Sequence, residues 1–332
     1  RDPEMSRGLG DVYKRQVMVN ITHPGVGFTL DNMQAFDTSK VKTPSFVNFL
    51  FDMVPVNIVD SMAKNQIMQM IFFTVLVGVA LVSLGEKVAG VTKIFDQCAS
   101  IIYKMLDIVM LYSPIGVLAL MANTTAVFGP KLFGVLAKFV FTDWVGCLLI
   151  WFFFSGIVWL YTKVNYLEMC KSMIPIWVNT IATNSSAGTI PITLNVTTER
   201  LKVPMSIASF SIPLGATINL TGAALYKTIL AFFVAEIYGL QLTIDQILMV
   251  IIISTIMSIA APGIPGGGIV TGAIFLNLLG LPMDLMGPIA GMYRLIDMSH
   301  TTVNVSGDVL GTMLVAKNEN IWTGEDFNKT LV

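Results

Sequence analysis

Asp297, Thr301, Asn304 and Asp308 lie four, three and four residues apart, so a helix stacks these oxygen-bearing side chains on one face. Asn304 and Asp308 then offer hard oxygen ligands one turn apart, the chemistry that a dehydrated alkali cation needs. Asn219, in the run Asn219-Leu220-Thr221-Gly222, offers another, and Gly222 would let its helix open and turn carbonyls toward an ion. Arg294 and His300 flank the row on either side. A purely structural reading stands beside this one. Arg294 and Asp297 would form an i,i+3 ion pair, Asp308 would pair with a neighbouring helix, and His300 would be a packed, satisfied histidine.

The segment that carries the row, from about Leu285 to Ala316, is otherwise apolar. In a bilayer each charge costs roughly 2.5–3.5 kcal/mol at mid-depth, while each Leu, Ile or Val returns only about 0.3–0.6. Two aspartates and an arginine consume that return, so the row must face protein, ions or water rather than lipid. An ionisable residue inside a membrane segment is a functional-site candidate by default.

The rest of the chain supplies the bilayer setting. Its 332 residues are 54% hydrophobic and 12% charged, about half the charge of a soluble domain, and the mean hydropathy is +0.73. The net charge of −1 and the absence of basic runs argue against nucleic acid as a partner. Cys98, Cys147 and Cys170 lie in or beside apolar segments without metal or redox spacing. The opening RDPEMSRGLGDVYKRQ (1–16) is polar and unlike the rest of the chain, and is expected to be a non-native, artefactual segment.

Apolar runs of membrane length cover Gln66 to Leu84, Ile108 to Gly129 with a start near Phe95, Trp144 to Tyr161 with a start near Leu132, and Val203 through Lys227 toward Tyr238. Ser45 to Val59 is apolar but broken by Pro55. Two regions, near 168–200 and 242–282, are interrupted by TNSSAGTIP (Thr183 to Pro191) and APGIPGGG (Ala261 to Gly268). Gly, Pro and Ser are poor helix formers. An opened backbone survives in a membrane only where it is buried or lines a wet cavity. Each region therefore reads as two half-helices meeting at a tip, a re-entrant hairpin, and paired breaks point to a transporter's binding site. Lys87, Lys93, Lys163, Lys171, Arg200, Lys202 and Lys317 fall in inside loops if the C-terminus is cytoplasmic, against Lys40, Lys42 and Lys131 outside.

SSAGTIP, GATINLTGAALY, SIAAPGIPGGG and DMSHTTVNVSGD occur in that order. In these motifs the chain resembles the dicarboxylate/amino acid:cation symporter family, which includes the glutamate transporters, from about His23-Pro24-Gly25 to Lys317. The resemblance implies an all-α polytopic membrane protein with two re-entrant hairpins, a homotrimer surrounded by lipid, and an elevator mechanism. Residues 17–130 would be a partial scaffold, 131–317 the transport domain and 318–332 a cytoplasmic tail. Three helices that precede this stretch in the family's plan are absent from the sequence, so the polypeptide alone would not transport. No enzymatic activity and no organic cofactor are implied.

The resemblance also implies roles. Ser185, Ser186, Gly263, Ile264, Gly268, Asp297, His300, Thr301 and Asn304 would bind a small amino acid, with Asp297 on its ammonium group. Gly215, Asn219, Asn304 and Asp308 would hold one sodium ion; Thr217, Ser258, Ile259 and Ala261 would hold a second. Members that take acidic substrates carry arginine where His300 stands, and a second arginine is Asn184 here. These departures lead to the expectation of a neutral or polar amino acid, with an acidic amino acid or C4-dicarboxylate as the alternative. Thr221 replaces an aspartate that ligates a third cation, which implies fewer sodium ions per cycle or partial proton coupling. A channel and an intramembrane aspartyl protease using Asp297 and Asp308 are the readings from other classes.

Overall fold

The computed structural model describes residues 51–64, 66–129, 131–259, 263 and 265–329. The 1–16 segment, Lys40, Lys42, Ala261 and Ile264 lie outside them. All regular structure among the described residues is helical, and the chain divides into two compact units at Val127/Phe128.

In the first unit Pro55 stands in a non-helical stretch before α1 (Ile58–Ala63). Asn57 caps that helix, its Oδ1 accepting from the Val59 amide at 2.9 Å. The apolar α2 (Ile67–Leu84) ends at Gly85, whose φ of 54° suits glycine, and a 3₁₀ turn (Gly85–Val88) leads into α3 (Ala89–Met110). The helix expected from near Phe95 to Gly129 is broken at Leu111–Tyr112, and α4 (Ser113–Phe128) starts afresh. Pro114 is the cause: it has no N–H and disfavours helical backbone at the residue before it. Val75, Leu76, Val79 and Val82 of α2 are exposed, so this unit alone does not bury its apolar surface.

The second unit is built around one long helix. α5 (Lys131–Thr162) and α12 (Met286–Asn318) run against each other. α6 (Tyr166–Thr183), α7 (Ser186–Asn195), α8 (Met205–Ile218), α9 (Thr221–Ile237) and α11 (Gly267–Leu278) also touch α12, whereas α10 (Ile244–Ile259) packs on α9. Met169, Met173, Val305, Val309 and Met313 form the core at one end, where Trp322 donates its indole N–H to the Leu201 carbonyl at 3.1 Å. α13 (Gly324–Lys329) follows.

Three breaks in this unit place the polar groups. Asn184 adopts left-handed backbone (φ 53°, ψ 34°), tolerable for asparagine, and Ser185 caps α7 by accepting the Gly188 amide at 3.0 Å. The run expected to be one helix from Val203 toward Tyr238 is instead two, opened at Asn219–Leu220 between α8 and α9. The third break separates α10 from α11 and contains Gly266 at φ 77°. Gly222 permits a close helix crossing: a Cβ there would lie 2.7 Å from the His300 Cα.

Candidate functional site

The tips of the first and third breaks meet. Ser185 Oγ donates to the Gly263 carbonyl at 3.3 Å, and the Ala187 amide lies 3.5 Å from the same oxygen. Beside them is a small cavity of about 30 Å³, lined by Asn184, Ser186, Leu220, Ala223, Gly263, Gly268, Tyr293, Asp297, His300, Thr301 and Asn304. A volume of that size is on the order of a water molecule or two, so the site must widen before a solute fits.

Of the residues expected to bind substrate, Ser186, Gly263, Gly268, Asp297, His300, Thr301 and Asn304 are thus brought together. Ser185 is not on the wall, because its hydroxyl is spent on the α7 cap and the latch to Gly263. Asp297 accepts from the Gly266 amide at 3.2 Å and from the Tyr293 hydroxyl at 3.4 Å. The Arg294–Asp297 pair is not formed; Arg294 donates to the Ala182 carbonyl at 3.1 Å, across to α6.

One turn beyond Asn304 on α12, Asp308 Oδ1 accepts from Asn219 Nδ2 at 2.8 Å, and the same Nδ2 donates to the Asn304 carbonyl at 3.2 Å. Gly215 abuts the Asp308 carboxyl, leaving no room for a Cβ. Asp308 Oδ2 is buried without a partner, an arrangement that costs free energy unless a positive charge or donor fills it. The four residues Gly215, Asn219, Asn304 and Asp308 therefore converge with an unsatisfied anionic oxygen among them, which fits a small cation. Thr221 donates to Asn219 Oδ1 at 2.8 Å. A groove of about 610 Å³, lined largely by apolar side chains such as Phe154 and Phe210, reaches Asp308 and Asn219 from the side.

The other cation set is not assembled in the same way. Thr217 donates to the Pro213 carbonyl and Ser258 to that of Ser254, and among the described residues no hydrogen bond joins Thr217 to Ser258 or Ile259. Ile259 is exposed. The Lys227 Nζ, fully buried, sits 3.2 Å from Ser258 Oγ.

Two buried ionisable groups escape the sequence reading. Asp143, in the middle of α5, is fully buried; its Oδ1 lies 2.8 Å from His300 Nε2 and its Oδ2 2.8 Å from Ser299 Oγ. Lys227 is the second. The signal for both is present in the sequence: each is an ionisable residue inside an apolar run of membrane length.

A family model described as the sodium:dicarboxylate symporter family matches residues 15–318. This chain belongs to that family. It is 31% identical over 316 residues to a proton/glutamate-aspartate symporter of Bacillus subtilis, covering 94% of this chain and 76% of that protein. Similarity extends to a proton/sodium-glutamate symport protein of Bacillus caldotenax, 29% identical over 92% of this chain and 73% of the relative. A C4-dicarboxylate transport protein of Bacillus subtilis is 30% identical over 91% of this chain and 73% of the relative. As a sodium:dicarboxylate symporter family member with long apolar helices, the chain is a multi-pass membrane protein and a transporter, not an enzyme. Symporters of this family couple to sodium or protons. The expectation of a neutral amino acid finds no support among these relatives, whose names are all of acidic solutes.

Proposed function

We propose that this protein carries a small acidic solute, an acidic amino acid or a C4-dicarboxylate, through the membrane together with sodium or protons. The observation that carries the reading is the polar cavity beside two helix-break tips, whose Asn304 lies one turn from the orphaned Asp308 oxygen. Cation and solute sites share Asn304, which lines the cavity and accepts the Gly222 amide at 2.7 Å through Oδ1. An ion at Asp308 would set that side chain, and so bias solute binding; by linkage the solute would favour the ion equally.

In this reading Ser186 and the amides opening α7 face the solute's carboxylate, as helix N-termini favour anions, and Asp297 receives an ammonium group where the solute has one. The two breaks are re-entrant hairpins with bases on opposite membrane faces, Gly263 and Gly268 lie in the outer gate, and the C-terminus is cytoplasmic. Residues 131–317 form the moving part and 17–130 a scaffold, in which the apolar side chains that α2 exposes meet lipid and two further copies in a trimer.

The test is uptake into proteoliposomes of labelled aspartate, succinate and alanine under imposed sodium or proton gradients, by the chain joined to the three preceding helices of the family's plan. Gradient-driven, saturable uptake of aspartate or succinate is expected. Uptake of alanine alone would return the neutral reading, and unsaturable flux without gradient coupling would mark a channel.

A further inference from the structure

Asp143 and Cys147 stand four residues apart on α5, which turns both toward the same neighbour, α12. There His300 meets them. All three side chains are buried. One ligand atom from each, a carboxylate oxygen, a sulfur and a ring nitrogen, lies within 4.8 Å of the other two. The cluster lies wholly inside the second unit and shares only His300 with the cavity wall. Neither the solute site nor the cation site uses Asp143 or Cys147.

Packing by itself leaves this cluster short of partners. Asp143 is fully buried, and the groups that hold it, Ser299 Oγ and His300 Nε2 at 2.8 Å each, are not fixed cations. A buried carboxylate without a positive charge beside it is costly. The ring is not satisfied by its neighbours either, since His300 Nδ1 is buried without a partner.

We propose that Asp143, Cys147 and His300 form a binding site for a divalent transition-metal ion of the zinc class. The donor set selects it. Oxygen ligands alone would suit sodium, magnesium or calcium, whereas sulfur and imidazole beside one carboxylate are ligands of zinc. Around a tetrahedral zinc ion, bond lengths of about 2.0–2.3 Å put ligand atoms about 3.3–3.8 Å apart. The His300–Asp143 approach of 2.8 Å and the 4.8 Å limit of the cluster bracket that spacing, so small side-chain rotations suffice.

Charge balances as well. Carboxylate and thiolate bring two negative charges to a dication, and a neutral imidazole brings none. The thiol proton leaves to water on binding. The imidazole keeps a lone pair for the ion on one nitrogen and its hydrogen on the other. Three protein ligands leave a fourth position for a water or an anion, and the cavity that His300 lines is the route to it. The bound ion ties α5 to α12.

The test is a titration of the full chain, free of any histidine tag, solubilised in detergent and stripped with a chelator. Cys98 and Cys170 are first replaced by alanine, so that Cys147 is the single thiol. Cobalt(II), a coloured substitute for zinc, is then added. About one ion per chain is expected, with a sulfur-to-cobalt charge-transfer absorption and the intense visible bands of a tetrahedral site. Zinc should displace the cobalt and raise the thermal midpoint. Cys147→Ser should remove the charge-transfer absorption and lower zinc affinity about a hundredfold, at least what an outer-shell partner costs. His300→Gln should lower affinity while keeping the absorption. No ion bound, an ion bound without the sulfur absorption, or zinc affinity unchanged in Cys147→Ser overturns the proposal. The spectrum with Cys147 as the single thiol decides even if the other variants fail to fold, and it does not depend on which solute the protein carries.

Discussion

Asp308 illustrates how a single side chain reports a ligand. Its Oδ1 is held by Asn219, yet Oδ2 is buried and unpartnered, and an isolated buried carboxylate is unstable without a compensating charge. Asp308→Asn should therefore lower sodium affinity about tenfold or more, equivalent to about 1.4 kcal/mol, read as a loss of sodium-dependent thermal stabilisation. Retained sodium stabilisation would place the ion elsewhere. Asp297 distinguishes solute classes in the same way. Its carboxylate suits an ammonium group, so Asp297→Asn should cut binding of aspartate about a hundredfold while sparing succinate, because a charged hydrogen bond is worth roughly 1.5–3 kcal/mol. Comparable losses for both solutes in paired titrations would remove Asp297 from ammonium recognition.

At the scale of elements, broken helices do the positioning. Ser185 ends the left-handed turn at Asn184, caps α7 and reaches Gly263. Ser185→Ala should cost about 1 kcal/mol for the cap and loosen the contact between tips, measurable as faster amide exchange at Ala187 and Gly188. Unchanged exchange would show that the tips are held by other contacts. Gly222 has the opposite task of admitting close approach, with the His300 backbone where its Cβ would be. Gly222→Val should force α9 from α12 at a cost of about 1–3 kcal/mol, lowering the thermal midpoint and spreading the cavity. An unshifted midpoint would mean that the crossing has slack.

For the whole molecule, the contrast is between a unit with a core and one without. Phe128–Val332 closes on α12 and is pinned at its end by Trp322, whereas α2 leaves its valines exposed. Surface of that kind demands lipid or protein as cover, which is why we propose subunit contacts for the first unit. Native mass spectrometry from nanodiscs should find three copies, and monomers alone would remove that assignment.

How much of this is legible in the residues alone depends on the range of the forces. The polar row on α12, the break at TNSSAGTIP and that at APGIPGGG are local facts: period, helix propensity and turn chemistry act within a few residues, and all three stand in the structure. The Asn219 opening is only half visible in sequence, since Gly222 marks it but apolar length argues for one helix. Asp143 and Lys227 escape notice because a lone ionisable residue in an apolar run acquires meaning only from what packs beside it. So the sequence by itself determined the family, the helical membrane architecture and the face that carries the site. Tertiary packing alone decided that His300 is held by Asp143, that Arg294 leaves Asp297, and that Ser258 has the Lys227 Nζ beside it. Each of these joins residues on different elements, and a partner's identity cannot be read from one strand of letters until the chain brings it within hydrogen-bond reach.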